Sequence, residues 1–143
     1  MKITQISVFL ENRKGRLFEV CSLLGQNSIN IRALTIAETE TFGVLRIVVD
    51  KPEAATEVFK KHQITANLTS VVAVEVDDRP GGLAAVLKTL SDHDLNVEYM
   101  YGFVEKATER AMLVFRFEDP DRATKVLSAA GVRVVTESDI RGL

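Results

Sequence analysis

The chain carries one pattern twice, 66 residues apart. Asn12-Arg13-Lys14-Gly15-Arg16-Leu17 has its counterpart in Asp78-Arg79-Pro80-Gly81-Gly82-Leu83, and Asn30-Ile31 in Asn96-Val97. The apolar spacing repeats at the same offset. Ile6, Val8 and Leu10 face one way and Gln5, Ser7 and Phe9 the other before the first copy, and Val72, Val74 and Val76 recur with the same period before the second, which reads as a strand each time. Leu17, Val20, Cys21 and Leu24 then recur at helical spacing, matched by Leu83, Val86, Leu87 and Leu90. Two copies cannot make a solenoid, which needs three or more stacked units. A length of 143 residues suits two small domains, predicted at 1–69 and 70–143.

The rest of each copy follows from local pattern. Gly25-Gln26-Asn27 is a plausible helix stop. Residues 30–37 read as a second strand and 44–49 as a third, with Leu45, Ile47 and Val49 on one face. Pro52 opens a second helix in a position where proline is tolerated, with Ala55, Val58 and Phe59 as its buried stripe. Residues 64–68 form a short fourth strand. The second copy repeats this with strands at 71–76, 96–104, 111–117 and 132–135, and helices at 83–90 and from Pro120 to Gly131. The offset grows from 66 to 68 between Pro52 and Pro120, so the second hairpin turn is longer. Each copy therefore reads βαββαβ. The predicted class is α+β: two ferredoxin-like domains, each an antiparallel sheet with both helices on one face, paired with each other. Val44, Val48, Val71, Ala73 and Val114 point to the other sheet face and are apolar too. An apolar face needs cover, which predicts pairing of the copies and a homodimer.

A strand-to-helix turn rich in glycine collects unpaired backbone N–H groups at the positive end of a helix dipole, which suits a small carboxylate or phosphate. Gly81 and Gly82 carry no Cβ to bar close approach, and Pro80 fixes its own φ. Composition closes other classes. The net charge of −2 lacks the basic excess of a general nucleic-acid surface. One cysteine, Cys21, makes neither an internal disulfide nor a cysteine-rich metal site. No apolar run reaches the length of a membrane span. The N-terminus lacks a signal-peptide layout, so a cytoplasmic location is expected.

Asn12 to Leu17 with Asn30-Ile31, and Asp78 to Leu83 with Asn96-Val97, resemble the ACT domain pattern: Asn or Asp, then x-Pro-Gly-x-Leu, an amphipathic helix, and Asn-Ile opening the second strand. The resemblance covers nearly the whole chain. It implies binding of an amino acid or similar small metabolite at interfaces between paired domains, and regulation of an enzyme. No enzyme segment is read within these 143 residues, so a partner enzyme is expected. The implied ligand residues are Asn12, Arg13, Lys14, Gly15, Arg16, Leu17, Asn30 and Ile31 in one copy. In the other they are Asp78, Arg79, Pro80, Gly81, Gly82, Leu83, Asn96 and Val97. The loop amides suit the α-carboxylate, Asn30 or Asn96 fixes orientation, and an oxygen at Asn12 or Asp78 accepts from the α-ammonium. No catalytic residue, cofactor or metal is implied. Lys14 replaces the family's loop proline. Leu10 and Val76 stand where some serine-binding members carry a histidine, which turns expectation toward another amino acid.

Plainer roles compete at each position. Asn12 and Asp78 fit as helix N-caps, and Asn30 and Asn96 as turn closers. Tyr99-Met100-Tyr101 fits sheet packing, Asp92-His93-Asp94 a solvated helix end, His62 the end of a helix stripe, and Cys21 the core. Arg13, Lys14 and Arg16 form a basic rim. The first copy is also similar to the small regulatory subunit of acetolactate synthase, whose second half does not repeat the glycine loop. Acylphosphatase shares the fold and uses an Arg and an Asn, which Arg13 and Asn30 mimic loosely; no activated nucleophile or acid–base pair is visible. RNA-recognition modules also share it but need exposed aromatics and basic charge.

Overall fold

A computed structural model describes residues 2–38, 40–104 and 110–143. They form two compact units, Thr4–Thr69 and Ser70–Leu143, the latter joined by the first few residues of the chain.

The first unit contains β1 (Ile3–Glu11), α1 (Arg16–Gln26), β2 (Ile31–Glu38), β3 (Phe42–Val49), α2 (Pro52–Lys61) and the start of β4 (Ala66–Asp77). Its sheet runs β2-β3-β1-β4. β3 is antiparallel to β1, with Val8 opposite Leu45, and to β2, with Leu34 opposite Ile47. The second unit repeats this plan with the rest of β4, α3 (Gly82–Asp92), β5 (Val97–Gly102), β6 (Arg110–Phe117), α4 (Pro120–Ala129) and β7 (Val134–Val135). Its order is β5-β6-β4-β7, all antiparallel. Both are βαββαβ units of ferredoxin-like type.

One core per unit explains the arrangement. In the first, Ile6, Val8, Leu10, Leu45, Ile47 and Val49 project from one sheet face onto Val20 and Leu24 of α1 and Ala55 and Phe59 of α2. In the second, Val72, Val74, Val76, Phe115 and Phe117 meet Val86 and Leu90 of α3 and Ala123 and Leu127 of α4. Both helices thus lie on the same face, and each buried Leu, Val or Phe contributes about 1.5–3 kcal/mol. The rings of Phe115 and Phe117 stack at 5.8 Å. Leu17 stands outside this set, 40% exposed at the start of α1. On the opposite face, Val48, Val71, Ala73 and Val114 are buried and Val44 is half-buried, so these apolar positions are not left open to water.

Several local expectations change. α1 ends at Gln26 with Asn27 as its C-cap, within the expected stop, but the left-handed residue that follows is Ser28, φ 57°, and not a glycine. Asp94 ends α3 the same way, and Gln63 and Gly131 follow α2 and α4. Four equivalent positions thus take positive φ, and only the last uses glycine. The separate strands expected at 64–68 and 71–76 form one strand, β4. The last strand shrinks to Val134–Val135, and the chain turns into α5 (Glu137–Arg141). A capping box explains that turn: Thr136 Oγ1 accepts from Asp139 N at 3.2 Å, and Asp139 Oδ2 accepts from Thr136 N at 3.1 Å. Residues 105–109, within the longer second hairpin turn, lie outside the described residues. Among the described residues, no helix is long and apolar enough to cross a membrane.

Candidate functional site

The two glycine turns have the same backbone. Gly15 caps α1 at φ 86° and Gly81 caps α3 at φ 83°, both left-handed, and neither helix start has a side-chain cap hydrogen bond. Asn12 and Asp78 are therefore not N-caps. Asn12 instead ties its loop to the β2–β3 hairpin: its N–H donates to Thr41 O at 3.0 Å and its Nδ2 to Glu40 O at 3.2 Å. Each turn is braced internally, Arg13 N to Glu11 O and Arg79 N to Asp77 O at 2.9 and 3.0 Å.

The turns differ in one respect that sequence did not reveal. A Cβ built on Gly82 would lie 1.9 Å from the carbonyl oxygen of Asp77. The chain's own backbone, not a ligand, fills the space that the missing side chain leaves. The equivalent residue of the first copy is Arg16, which has a Cβ, and its turn is looser: Arg16 N to Arg13 O spans 3.3 Å against 2.9 Å for Gly82 N to Arg79 O. Pro80 and Gly82 together make the second turn the tighter one.

The basic rim of the first turn is largely neutralised. Arg13 and Arg16 converge on Glu19, with Arg13 bidentate at 3.2 and 3.3 Å and Arg16 at 3.1 Å. Hydrogen bonds from Arg16 and then Arg13 hold the Glu19 carboxyl below its ordinary range. At the second turn, Arg79 and Arg110 both pair with Asp77 at 3.2 Å, and Asp77, Asp78, Arg79 and Arg110 line a cavity of about 340 Å³. Arg110 escaped sequence reasoning, because it arrives from β6, more than thirty residues downstream.

The asparagines are elsewhere. Asn30 and Asn96 lie beyond the C-terminal ends of α1 and α3, whereas Gly15 and Gly81 lie at their N-terminal ends. Each helix has 11 residues, a length of about 16 Å at 1.5 Å per residue. A single domain thus keeps its glycine turn and its asparagine apart, and the pairing of Arg13 with Asn30 that acylphosphatase chemistry needs is not formed. Asn30 has a structural role: its N–H donates to Asp50 Oδ1 at 2.8 Å and its carbonyl accepts from Asp50 N at 3.0 Å. Asn96 opens onto a cavity of about 520 Å³ lined also by Asp94, Leu95, Glu98, Phe117, Glu118, Asp119, Pro120 and Arg122.

The remaining motifs are structural. Tyr101 is buried and Met100 packs on the second core. His62 and His93 are exposed C-caps whose Nδ1 atoms meet the carbonyls of Val58 and Thr89. Burial raises the Cys21 thiol above its ordinary value, the opposite of an activated nucleophile.

Two such units in tandem, each opening its first helix with a left-handed glycine, define a class of paired small ferredoxin-like domains. The chain belongs to the ACT family: the family described as an ACT domain pair matches residues 1–143. ACT domains are regulatory modules, and this chain is built as a pair of them. Its fold is shared with protein BT0572 from Bacteroides thetaiotaomicron, at 38% identity over 100% of this chain and 98% of that one, TM-score 0.92. The regulatory subunit of aspartate kinase from Thermus thermophilus, in its ligand-free form, is 18% identical over 89% and 91% of the two chains, TM-score 0.63. The corresponding subunit from Thermus flavus gives 14%, 90% and 92%, TM-score 0.57. At these two lower identities the likeness is one of fold. No curated protein matches the chain.

Proposed function

We propose that this ACT pair, with domains at 1–69 and 70–143, is a cytoplasmic sensor that binds a free amino acid where ACT domains meet and passes that occupancy to a separate enzyme. The observation that carries it is the turn built twice, with left-handed Gly15 and Gly81 and no side-chain cap on either helix. Arg16 N and Gly82 N are taken by their own turns, and the first-turn amides that follow them at the helix N-terminus suit an α-carboxylate. Because one domain holds its asparagine a helix length from its turn, a ligand touching both draws the turn from one domain and the asparagine from another. Binding then couples to assembly, and we infer a homodimer. The ligand can shift that assembly only by its differential affinity for two states. The second glycine turn, with the same backbone as the first, favours this reading over a small subunit of acetolactate synthase.

The test is a thermal-shift panel of the twenty amino acids with the full chain. A ligand at about 100 times its Kd stabilises by about 2.7 kcal/mol, roughly 5–10 °C for a chain of this size. Flat melting temperatures across the panel at millimolar concentration would refute the proposal.

A further inference from the structure

The outer strand of the first unit's sheet is unguarded. β2 stands at the end of the order β2-β3-β1-β4; among the described residues it pairs with β3 on one side and with no strand on the other. Its residues from Ile31 to Glu38 include neither proline nor lysine, which commonly blunt an edge. A register shift at Arg32 sets off the regular stretch from Ala33 to Glu38. Within it, Leu34 and Ile36 lie opposite Ile47 and Leu45, on the face that carries the helices. Ile47 and Leu45 are buried, yet Leu34 and Ile36 are 39% and 41% exposed. An apolar row left half in water along an open edge fits a strand that gains a neighbour. The second unit is different at its own outer strand, β5. There the repeat offset places Met100 and Gly102 at the positions of Leu34 and Ile36, and Glu98 at that of Arg32.

We infer that β2 pairs antiparallel with β2 of a second copy about a two-fold axis at Thr35, so that the homodimer forms through the first unit of each chain and not through the second. This specifies the homodimer of the reading above and leaves the identity of the ligand untouched. The residues themselves select the register. Side chains alternate between faces, so keeping the helix face continuous across the new pair requires the axis to pass through a residue. An axis at Leu34 sets Ile36 beside the partner's Arg32, and an axis at Ile36 sets Leu34 against the partner's Glu38. An axis at Thr35 sets Leu34 against the partner's Ile36, Ala33 against the partner's Ala37, and Glu38 beside the partner's Arg32. Apolar then meets apolar, and each charge meets its opposite. The other pairings lack this match. In the equivalent register with β5, Glu38 meets the partner's Glu98, a like-charge contact that disfavours mixed pairing. In β5 with β5, Met100 meets the partner's Gly102, which offers no side chain to cover it.

Sedimentation velocity of the full chain over a series of micromolar concentrations tests it. The parent is expected to dimerise. Ile36→Lys and Leu34→Glu are each expected to raise the dimer Kd by about 100-fold, because each sets a charge against an apolar side chain in both halves of the two-fold. An equimolar mixture of the two variants is expected to recover the dimer: one contact becomes glutamate against lysine, and the other is the parent's own Leu34–Ile36 contact. Gly102→Lys makes the matched change on β5 and is expected to leave the dimer intact. Gly102 is not left-handed, and a Cβ there meets Leu113 at 3.8 Å, an ordinary contact. Melting temperatures of the single variants check the fold. A dimer that survives Ile36→Lys, or a mixture no more dimeric than its two components, overturns the inference and leaves the homodimer and the amino-acid reading standing. A parent that stays monomeric throughout overturns the inference and the homodimer together, while the thermal-shift panel still decides whether an amino acid binds.

Discussion

Gly82→Ala probes the tight turn directly. The added methyl carbon would start 1.9 Å from the Asp77 carbonyl oxygen and 3.0 Å from the carbonyl carbon. Carbon and oxygen in close but tolerable contact sit about 3.3 Å apart, so the two must separate by more than an ångström. The obstacle is backbone and cannot rotate aside as a side chain would. Overpacking of this kind costs about 1–3 kcal/mol. Alanine's better helix propensity returns up to about 1 kcal/mol. The net expectation is a loss of roughly 1–2 kcal/mol, seen by scanning calorimetry as a fall of about 4–8 °C per kcal/mol if the second unit melts alone. Two comparators separate the causes. Gly25→Ala meets nothing within 4 Å inside α1 and should stabilise by about 0.5–1 kcal/mol. Gly81→Ala also meets nothing, yet its φ of 83° should cost about 1–2 kcal/mol from the backbone alone. A Gly82→Ala chain that melts at or above the parent, with Gly25→Ala behaving as stated, would mean that the Asp77 carbonyl does not occupy that space.

Other outcomes follow from single contacts. Thr136→Ala removes one half of the capping box and should cost about 1 kcal/mol, read as faster amide exchange in α5. The hydrogen bonds from Thr136 hold Asp139 below its ordinary 3.8, so the stability it adds is present above that pH and is lost as pH falls through the lower folded value. A urea midpoint that drops on acidification below 3.8 in the parent, but less in Thr136→Ala, is the expected result. Glu75 is buried and accepts from Arg133 Nη1 at 2.6 Å, with Arg110 at 3.8 Å. Arg133→Met should cost about 2 kcal/mol, because a charged hydrogen bond is lost, and denaturant titration would show it. Cys21, raised by burial, should react with a thiol reagent at pH 8 more slowly in the native chain than in urea; equal rates would contradict its packing.

The local grammar of this chain was legible residue by residue. Val20 and Leu24 against Val86 and Leu90, and Pro52 against Pro120, give the helices and their order, because helical and strand periods are written within ten residues or so. The glycines of both turns were read only as open backbone; that Gly15 and Gly81 are left-handed caps came from the structure. Positions whose meaning depends on distant chain were read less well. Asn12 serves the β2–β3 hairpin and not its own helix. His62 caps a helix where a buried stripe was expected. Gly82 yields its space to Asp77. Arg110 of β6 and Arg133, just before β7, find Glu75 from far along the chain.

Repetition, element type and family pattern were thus set by sequence alone, since each rests on spacing that short stretches fix. That turn and asparagine fall at opposite ends of a helix was already implied by the order of the pattern; tertiary structure decided which residues of other elements gather at each end. It also decided that one asparagine is held by its own Asp50 while the other faces an acidic cavity. The physical reason is that a helix converts a short separation in sequence into about 16 Å of space. Charges from different strands meet only after the sheet has chosen its order.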